Sequence, residues 1–226
     1  RDSPEIQVHD ISSVKGSVIV KDFSKEKFKM NLKSNKVNVI KILPGGVVTA
    51  KDTAEIELDA NGEFVRNPEV DLVKVAVVER HQGTGNVACG FLKGYGIKEG
   101  AVALSVAHDS HNIIVVGVND EEMEFAVNSL IEQEGGIVLV KEGKVIESMP
   151  MPIAGLMSDQ SGEWVDQKLT DIHEKAYEEL GICGDVEPVM TLCFMSLAVI
   201  PEIKLTDMGL FDAVSYTHLR AHETTL

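Results

Sequence analysis

Cysteine is scarce in this chain. Only Cys89, Cys183 and Cys193 occur, an odd number with no Cys-x-x-Cys spacing. That excludes a disulfide framework and a cysteine-based zinc knuckle, and it suits a reducing cytoplasm. Positive charge is also short: 21 Lys and Arg face 36 Asp and Glu, for a net charge of −15. Nucleic-acid binding needs basic faces that match phosphates, so the deficit argues against nucleic-acid partners and against anionic membrane surfaces. Long apolar runs are missing too, since none approaches the roughly 20 residues that cross a bilayer, and no charged-then-apolar leader opens the chain. The expectation is a soluble, acidic, cytoplasmic protein. With 226 residues it has enough chain for one large domain or two small ones. The first residue is Arg1 rather than Met, which is read as truncation.

What is present divides by texture. Residues 1–36 are rich in Lys, Ser and Asp with one apolar piece, Val18-Ile19-Val20, and read as a connecting region. Residues 37–43, 47–50 and 54–58 are short β-like runs, separated by Pro44-Gly45-Gly46 and closed by Asp59-Ala60-Asn61-Gly62, which predicts a small antiparallel sheet on the N-terminal side. Residues 72–79 and 87–93 form two further strands around a polar loop, Arg80-His81-Gln82-Gly83-Thr84-Gly85-Asn86. That loop loosely suggests a phosphate cradle but lacks the Lys-Ser/Thr ending and the full glycine spacing. Asn119 followed by Asp120, Glu121 and Glu122 marks a helix start, with Met123, Val127, Leu130 and Ile131 as its apolar stripe and Gly135-Gly136 as its stop. Residues 137–140 and 145–148 read as a hairpin about Glu142-Gly143. Ser161 caps a second helix that carries Trp164, Leu169, Ile172, Ala176 and Leu180 on one face and ends at Gly181. Met149, Met151 and Met157 read as adaptable packing, and residues 188–200 as a mixed apolar run ended by Pro201. The fold class is α/β, mixed α+β: a β-rich domain with a few helices packed on mixed sheets.

Chemistry concentrates between two apolar runs, 101–107 and 113–117, where His108, Asp109, Ser110, His111 and Asn112 stand together. Burying two imidazoles, a carboxylate, a hydroxyl and an amide is costly unless each finds a partner, and polar strand ends on an apolar scaffold are where sites are built. The two histidines could bind metal, move a proton on a substrate, or form a polar corner satisfied by backbone. A full metal site needs three or four ligands, and the nearby candidates are only His81, Glu79 and distant acids. Arg80 and His81 end the strand at 72–79. If that strand neighbours the one at 101–107, both polar groups share one edge of the sheet. The cysteines read as structural, and His9 and His173 as surface positions. His218 and His222, with Glu223 alongside, would mimic metal ligands on a helix. They sit in Val214-Ser-Tyr-Thr-His-Leu-Arg-Ala-His-Glu-Thr224, which looks like translated read-through of a sequencing adapter. Residues 214–226 are therefore expected to be an unpacked, disordered artefact.

Five stretches carry a resemblance: Glu79-Arg-His-Gln-Gly-Thr-Gly-Asn86, Gly90-Phe-Leu-Lys-Gly-Tyr-Gly96, Ser105-Val-Ala-His-Asp-Ser-His-Asn-Ile-Ile-Val-Val-Gly117, Pro152-Ile-Ala-Gly-Leu-Met-Ser158 and Val199-Ile-Pro-Glu-Ile-Lys-Leu-Thr-Asp207. Together, and in this order, they resemble the C-terminal region of bacterial and archaeal adenine deaminase, of the amidohydrolase superfamily, over residues 37–213. The resemblance implies hydrolysis of adenine to hypoxanthine and ammonia by an enzyme with manganese or iron in a (β/α)8 barrel. The barrel ligands of that family begin with a His-x-His pair. No such pair occurs here, so the barrel and its metal would lie outside this chain. On this reading His108, Asp109 and His111 are candidate catalytic groups, and Arg80, His81, Ser110 and Asn112 candidate substrate-binding groups. This chain itself supplies no metal ligand, and the full-length protein is expected to be a homo-oligomer, a homodimer. Two other readings remain open: a non-catalytic module supporting the barrel and the oligomer interface, and an independent small metallohydrolase built on His81, His108 and His111.

Overall fold

In the computed structural model, which describes residues 10–219, the segment Leu72–Val78 (β5) is buried at every position. A strand buried on both faces reads as a continuous β-branched run, and here it lies inside an eight-stranded sheet. The strands of that sheet are β1 (Lys36–Ile42), β2 (Thr49–Glu55), β5, β6 (Val87–Lys93), β7 (Ala101–Leu104), β8 (Ile113–Gly117), β9 (Gly136–Lys141) and β10 (Lys144–Pro150). Their order across the sheet is β10-β9-β7-β8-β5-β6-β1-β2. Among the described strands, β1 against β6 is the one parallel pairing; the other pairs of this sheet are antiparallel. The short strands β3 (Glu57–Leu58) and β4 (Phe64–Val65) pair with each other. A three-stranded antiparallel sheet is made by β11 (Ile203–Thr206), β12 (Gly209–Asp212) and β13 (Thr217–Leu219).

Period-2 alternation gives the large sheet two apolar faces. Val73, Val75, Val77, Val102, Leu104, Ile114 and Val116 share one core with Ile172 and Ala176 of α2 (Gly162–Glu178), Leu192 of α3 (Pro188–Cys193), and Ile203, Leu205 and Leu210. Ala76, Val78, Ala103, Ile113 and Val115 share the other with Met123, Ala126, Val127 and Leu130 of α1 (Asp120–Glu132). Both long helices start where their caps predict. The Asn119 side chain accepts from the Glu122 N–H at 2.8 Å, and that of Ser161 from the Trp164 N–H at 3.3 Å.

Several expectations from sequence are modified. The small antiparallel pair β1–β2 exists, but the parallel contact of β1 with β6 makes it part of the large sheet. Among the described residues 10–36, Phe28 is fully buried and Val18, Val20 and Phe23 pack on the core of α1. Covering one such ring is worth about 2 kcal/mol, so this stretch is part of the domain rather than a bare connector. The first half of the run at 188–200 becomes α3 with Pro188 in its first turn, the position proline tolerates, and the rest is turns. In the tail, Thr217–Leu219 adds an edge strand to β12, so the described residues 214–219 are not wholly unpacked. His218 therefore lies on a strand, not a helix, while His222, like His9, lies outside the described residues. His173 is half-buried and bonded to the Leu169 carbonyl and to Glu187. Among the described residues no helix is long and apolar enough to cross a membrane.

Candidate functional site

The polar groups picked out from sequence meet at one end of the large sheet. β7 and β5 are not direct neighbours, because β8 lies between them and pairs antiparallel with both. Val78 is opposite Ile113, so Glu79, Arg80 and His81, leaving β5, run beside Asn112, His111 and Ser110, leading into β8.

The loop after β5 is built around its own carboxylate. Glu79 Oε1 accepts from the N–H groups of His81 (2.6 Å) and Gln82 (2.8 Å), and Oε2 from the N–H (2.9 Å) and hydroxyl (3.0 Å) of Thr84. Burial favours the neutral acid, but these bonds outweigh it and hold the carboxyl down at about 2. The amides that a phosphate would need already serve this carboxylate, so the suggestion of a phosphate cradle is withdrawn.

Arg80 lies beneath the surface, only 1% exposed. Its guanidinium donates from Nε to the His111 carbonyl at 2.5 Å and from Nη2 to the Ala154 carbonyl at 3.2 Å. Its N–H donates to Asn112 Oδ1 at 3.3 Å, and its carbonyl accepts from the Ile19 N–H at 2.8 Å. Nη1 has no hydrogen-bond partner among the described residues. Burial lowers the arginine pKa from its ordinary value. The plane of the guanidinium lies against Gly155, where an added Cβ would sit 2.7 Å from Nη1. Ser105, fully buried, fastens the same loop from below: its hydroxyl donates to the Gly155 carbonyl at 2.5 Å and accepts from the Gly136 N–H at 2.7 Å.

Nearer the surface, the rings of His108 and His111 stand edge to face with centroids 5.4 Å apart, and Phe194 lies 4.9 Å from His108. The His108 N–H donates to the Cys193 carbonyl at 2.8 Å. His111 has a φ of +52°, and its Nδ1 is buried without a partner among the described residues. Burial lowers its pKa, and the neighbouring His108 and Arg80 lower it further. Asp109 and Ser110 are exposed. So is His81, whose Nε2 lies 2.7 Å from the Ser110 carbonyl; a carbonyl can only accept, so this nitrogen carries the proton.

The candidate residues thus separate into two layers. His81, His108, Asp109, Ser110 and His111 form an accessible or half-covered rim. Arg80 and Asn112, expected to contact substrate, lie below it and bond to the protein itself. Sequence reasoning weighed Glu79 only as a candidate metal ligand and gave no role to Ser105 or the 153–157 turn. The available signal was Gly155, a glycine inside an apolar stretch, which marks close backbone approach. Among the described residues no group of three or more His, Cys, Asp or Glu could hold a metal ion. His81, His108 and His111 therefore do not make the centre of an independent metallohydrolase. Cys89 and Cys193 are pushed up to about 12 by burial and so lack thiolate character.

Fold and site define a mixed-sheet α/β domain with a histidine-bearing rim at its strand ends and no metal-binding cluster among the described residues. Residues 46–217 match the family model described as the adenine deaminase C-terminal domain, and the chain belongs to that family. It is 67% identical over 213 residues to Adenine deaminase 2 of Desulfotalea psychrophila, covering 94% of this chain and 37% of the relative. It is 49% identical over 208 residues to Adenine deaminase of Ligilactobacillus salivarius (92% and 36%) and 45% over 197 residues to Adenine deaminase of Bacillus subtilis (87% and 34%). The chain spans about a third of the length of these curated relatives.

Proposed function

We propose that this chain is the C-terminal domain of a hydrolytic adenine deaminase, which takes adenine and water to hypoxanthine and ammonia. The observation that carries this is the 67% identity over 94% of the chain to a protein named Adenine deaminase 2. The residues here do not fit the manganese or iron that the activity calls for, since the described ones form no ligand cluster. That metal belongs to the upstream barrel, and no step is assigned to it here.

The domain's own contribution is the rim. Exchange of ammonia for water at a purine carbon needs protons delivered to the ring and to the leaving group, and imidazoles titrate in the useful range. His108, Asp109 and His111 are the proton-handling groups. His81 and Ser110 are the contacts to the ring edge, where unpaired donors and acceptors reject the wrong purine. Arg80 and Asn112 support these from below. The internal bonding of Arg80, Asn112 and Ser105 favours a second reading, in which the domain only braces the barrel. The full-length enzyme is a cytoplasmic homodimer with adenine as its small-molecule partner, and the net charge of −15 weighs against nucleic-acid or membrane partners.

The test is ammonia release from adenine. The purified 226-residue chain with added manganese should be inactive, and the full-length protein active. In the full-length protein His108→Ala and His111→Ala should each lower kcat about tenfold or more at unchanged fold. Unchanged turnover in both would leave the bracing role, and activity in the chain alone would return a metal to the rim.

A further inference from the structure

A buried guanidinium without a counter-ion is an expensive way to tie two carbonyls together, because an ion taken out of water is normally matched by an opposite charge. Among the described residues, the acceptors of the Arg80 side chain are two main-chain carbonyls. The carboxylate next to it in sequence, Glu79, is turned onto its own loop. A neutral donor would satisfy one carbonyl at lower desolvation cost. It would not span both, because only the rigid planar fork of arginine presents two N–H groups at a fixed separation.

The two carbonyls belong to the pieces that must be held in register for the rim to exist. His111 adopts the left-handed region, φ +52°, where a branched or bulky side chain is strained, and its carbonyl is the one gripped at 2.5 Å. The second carbonyl lies in the turn at 153–157, which closes on itself through the Ile153 N–H and Met157 carbonyl (3.1 Å). This turn approaches Arg80 closely, and at Gly155 a side chain would meet the guanidinium in a left-handed backbone, φ +70°, that favours glycine. Among the described residues, Arg80 Nη1 and His111 Nδ1 are both buried without a hydrogen-bond partner.

We propose that Arg80 is the positioning residue of the rim, fixing the His111 backbone in its geometry and setting a positive charge beside its imidazole. This rests on the reading of the rim as the reactive face. The groups that bear on His111 are the cations or potential cations Arg80, His108 and His81, and the single acid Asp109. Three of these four disfavour a proton on His111. Burial and His108 lower the His111 pKa more than Arg80 does, and Arg80 adds to them with the same side chain that holds the His111 carbonyl.

The test uses the full-length protein with Arg80→Lys, Arg80→Met and, as reference, His111→Ala. Kinetics on adenine are measured across pH, with thermal melting of each variant. Arg80→Met should lower kcat about tenfold or more while KM changes by less than about threefold. Its acid limb should move to higher pH, because losing the positive charge lets His111 keep its proton longer. Arg80→Lys keeps the charge and loses the fork, so its limb should stay near wild type while kcat remains depressed. Lowered melting temperatures with wild-type kcat and limb would make Arg80 a merely structural tie and overturn the proposal. If Arg80→Met does not fold, Arg80→Lys decides alone, and wild-type kcat there overturns it. Wild-type turnover in His111→Ala would overturn this proposal, and the reactive rim with it if His108→Ala is unimpaired as well. An impaired His111→Ala beside two unimpaired Arg80 variants would overturn this proposal alone.

Discussion

Lys74 and Arg80 are buried cations near opposite ends of β5, and they are handled in opposite ways. Lys74 Nζ lies 2.7 and 3.1 Å from the two Asp120 oxygens and 3.0 Å from the Phe28 carbonyl. Its charge is neutralised where the start of α1 and the N-terminal segment lock onto the sheet. The Arg80 side chain bonds only main-chain carbonyls, and one of its nitrogens is left bare among the described residues. The first arrangement is what stability alone asks for, since a buried ion needs a partner. The second leaves a charge uncancelled beside two histidines, which stability does not explain and the role proposed for Arg80 would. Within one strand, charge balance separates the end that holds the fold from the end that holds the site.

Three substitutions and one truncation sharpen that contrast. Glu79→Gln should have the largest effect on stability, about 3 kcal/mol at neutral pH, because it removes a carboxylate held near 2 rather than 4.5. For a domain of this size that is a fall in Tm of roughly 6–12 °C. The contribution of a depressed carboxyl is complete above its ordinary value and lost as pH falls toward 2. The gap between variant and wild type should therefore close over that acid range in urea melts. A gap that persists at pH 2 would refute the nest.

Asp120→Asn should cost about 2 kcal/mol, less than a fully buried pair because Asp120 is partly exposed, and it should leave the kinetics of the full-length protein alone. A change in its acid limb would mean the two ends of β5 are not independent. Lys204 is a control for buried charge as such, being fully buried with the Val47 carbonyl as its acceptor at 2.9 Å and lowered to about 8 by burial. A depressed lysine lowers stability below its folded value, and the loss is recovered as pH rises from about 8 to 10.5. Lys204→Met should therefore stabilise by about 1–2 kcal/mol at pH 7, an advantage that fades over that alkaline range in chemical denaturation. Destabilisation instead would show that Lys204 is held for a purpose, as Arg80 is. Among the described residues, truncation after Ala213 removes the edge strand β13 and the turn before it, so less than about 1 kcal/mol should be lost in a thermal melt.

Local structure was largely legible in the sequence. β6 has the bounds its residues suggest, β8 likewise, and both long helices start at the caps Asn119 and Ser161. These rest on neighbours in sequence: β-branched runs, capping side chains and glycine stops. Sheet order was not legible, because nothing local says that β8 lies between β5 and β7 or that β1 runs parallel to β6. The packing of residues before 37 hangs on Phe28 and the Phe23 ring edge-on to it, two aromatics in a polar stretch. At the site, residue types were readable and depth was not. Arg80 and His81 are adjacent in sequence, yet one is buried and the other open to solvent, because side chains alternate in direction as a strand ends.

The stitches at Val14 and Ile19 give the rim a mechanical connection. Val14 accepts from the Ala154 N–H at 2.9 Å, and Ile19 donates to the Arg80 carbonyl at 2.8 Å. Those two contact points are the turn that Arg80 spans and Arg80 itself. Tension along residues 10–20 would therefore load both anchors of the guanidinium at once, in shear across two hydrogen bonds. A displacement of about 1 Å at the histidines is enough to change a rate.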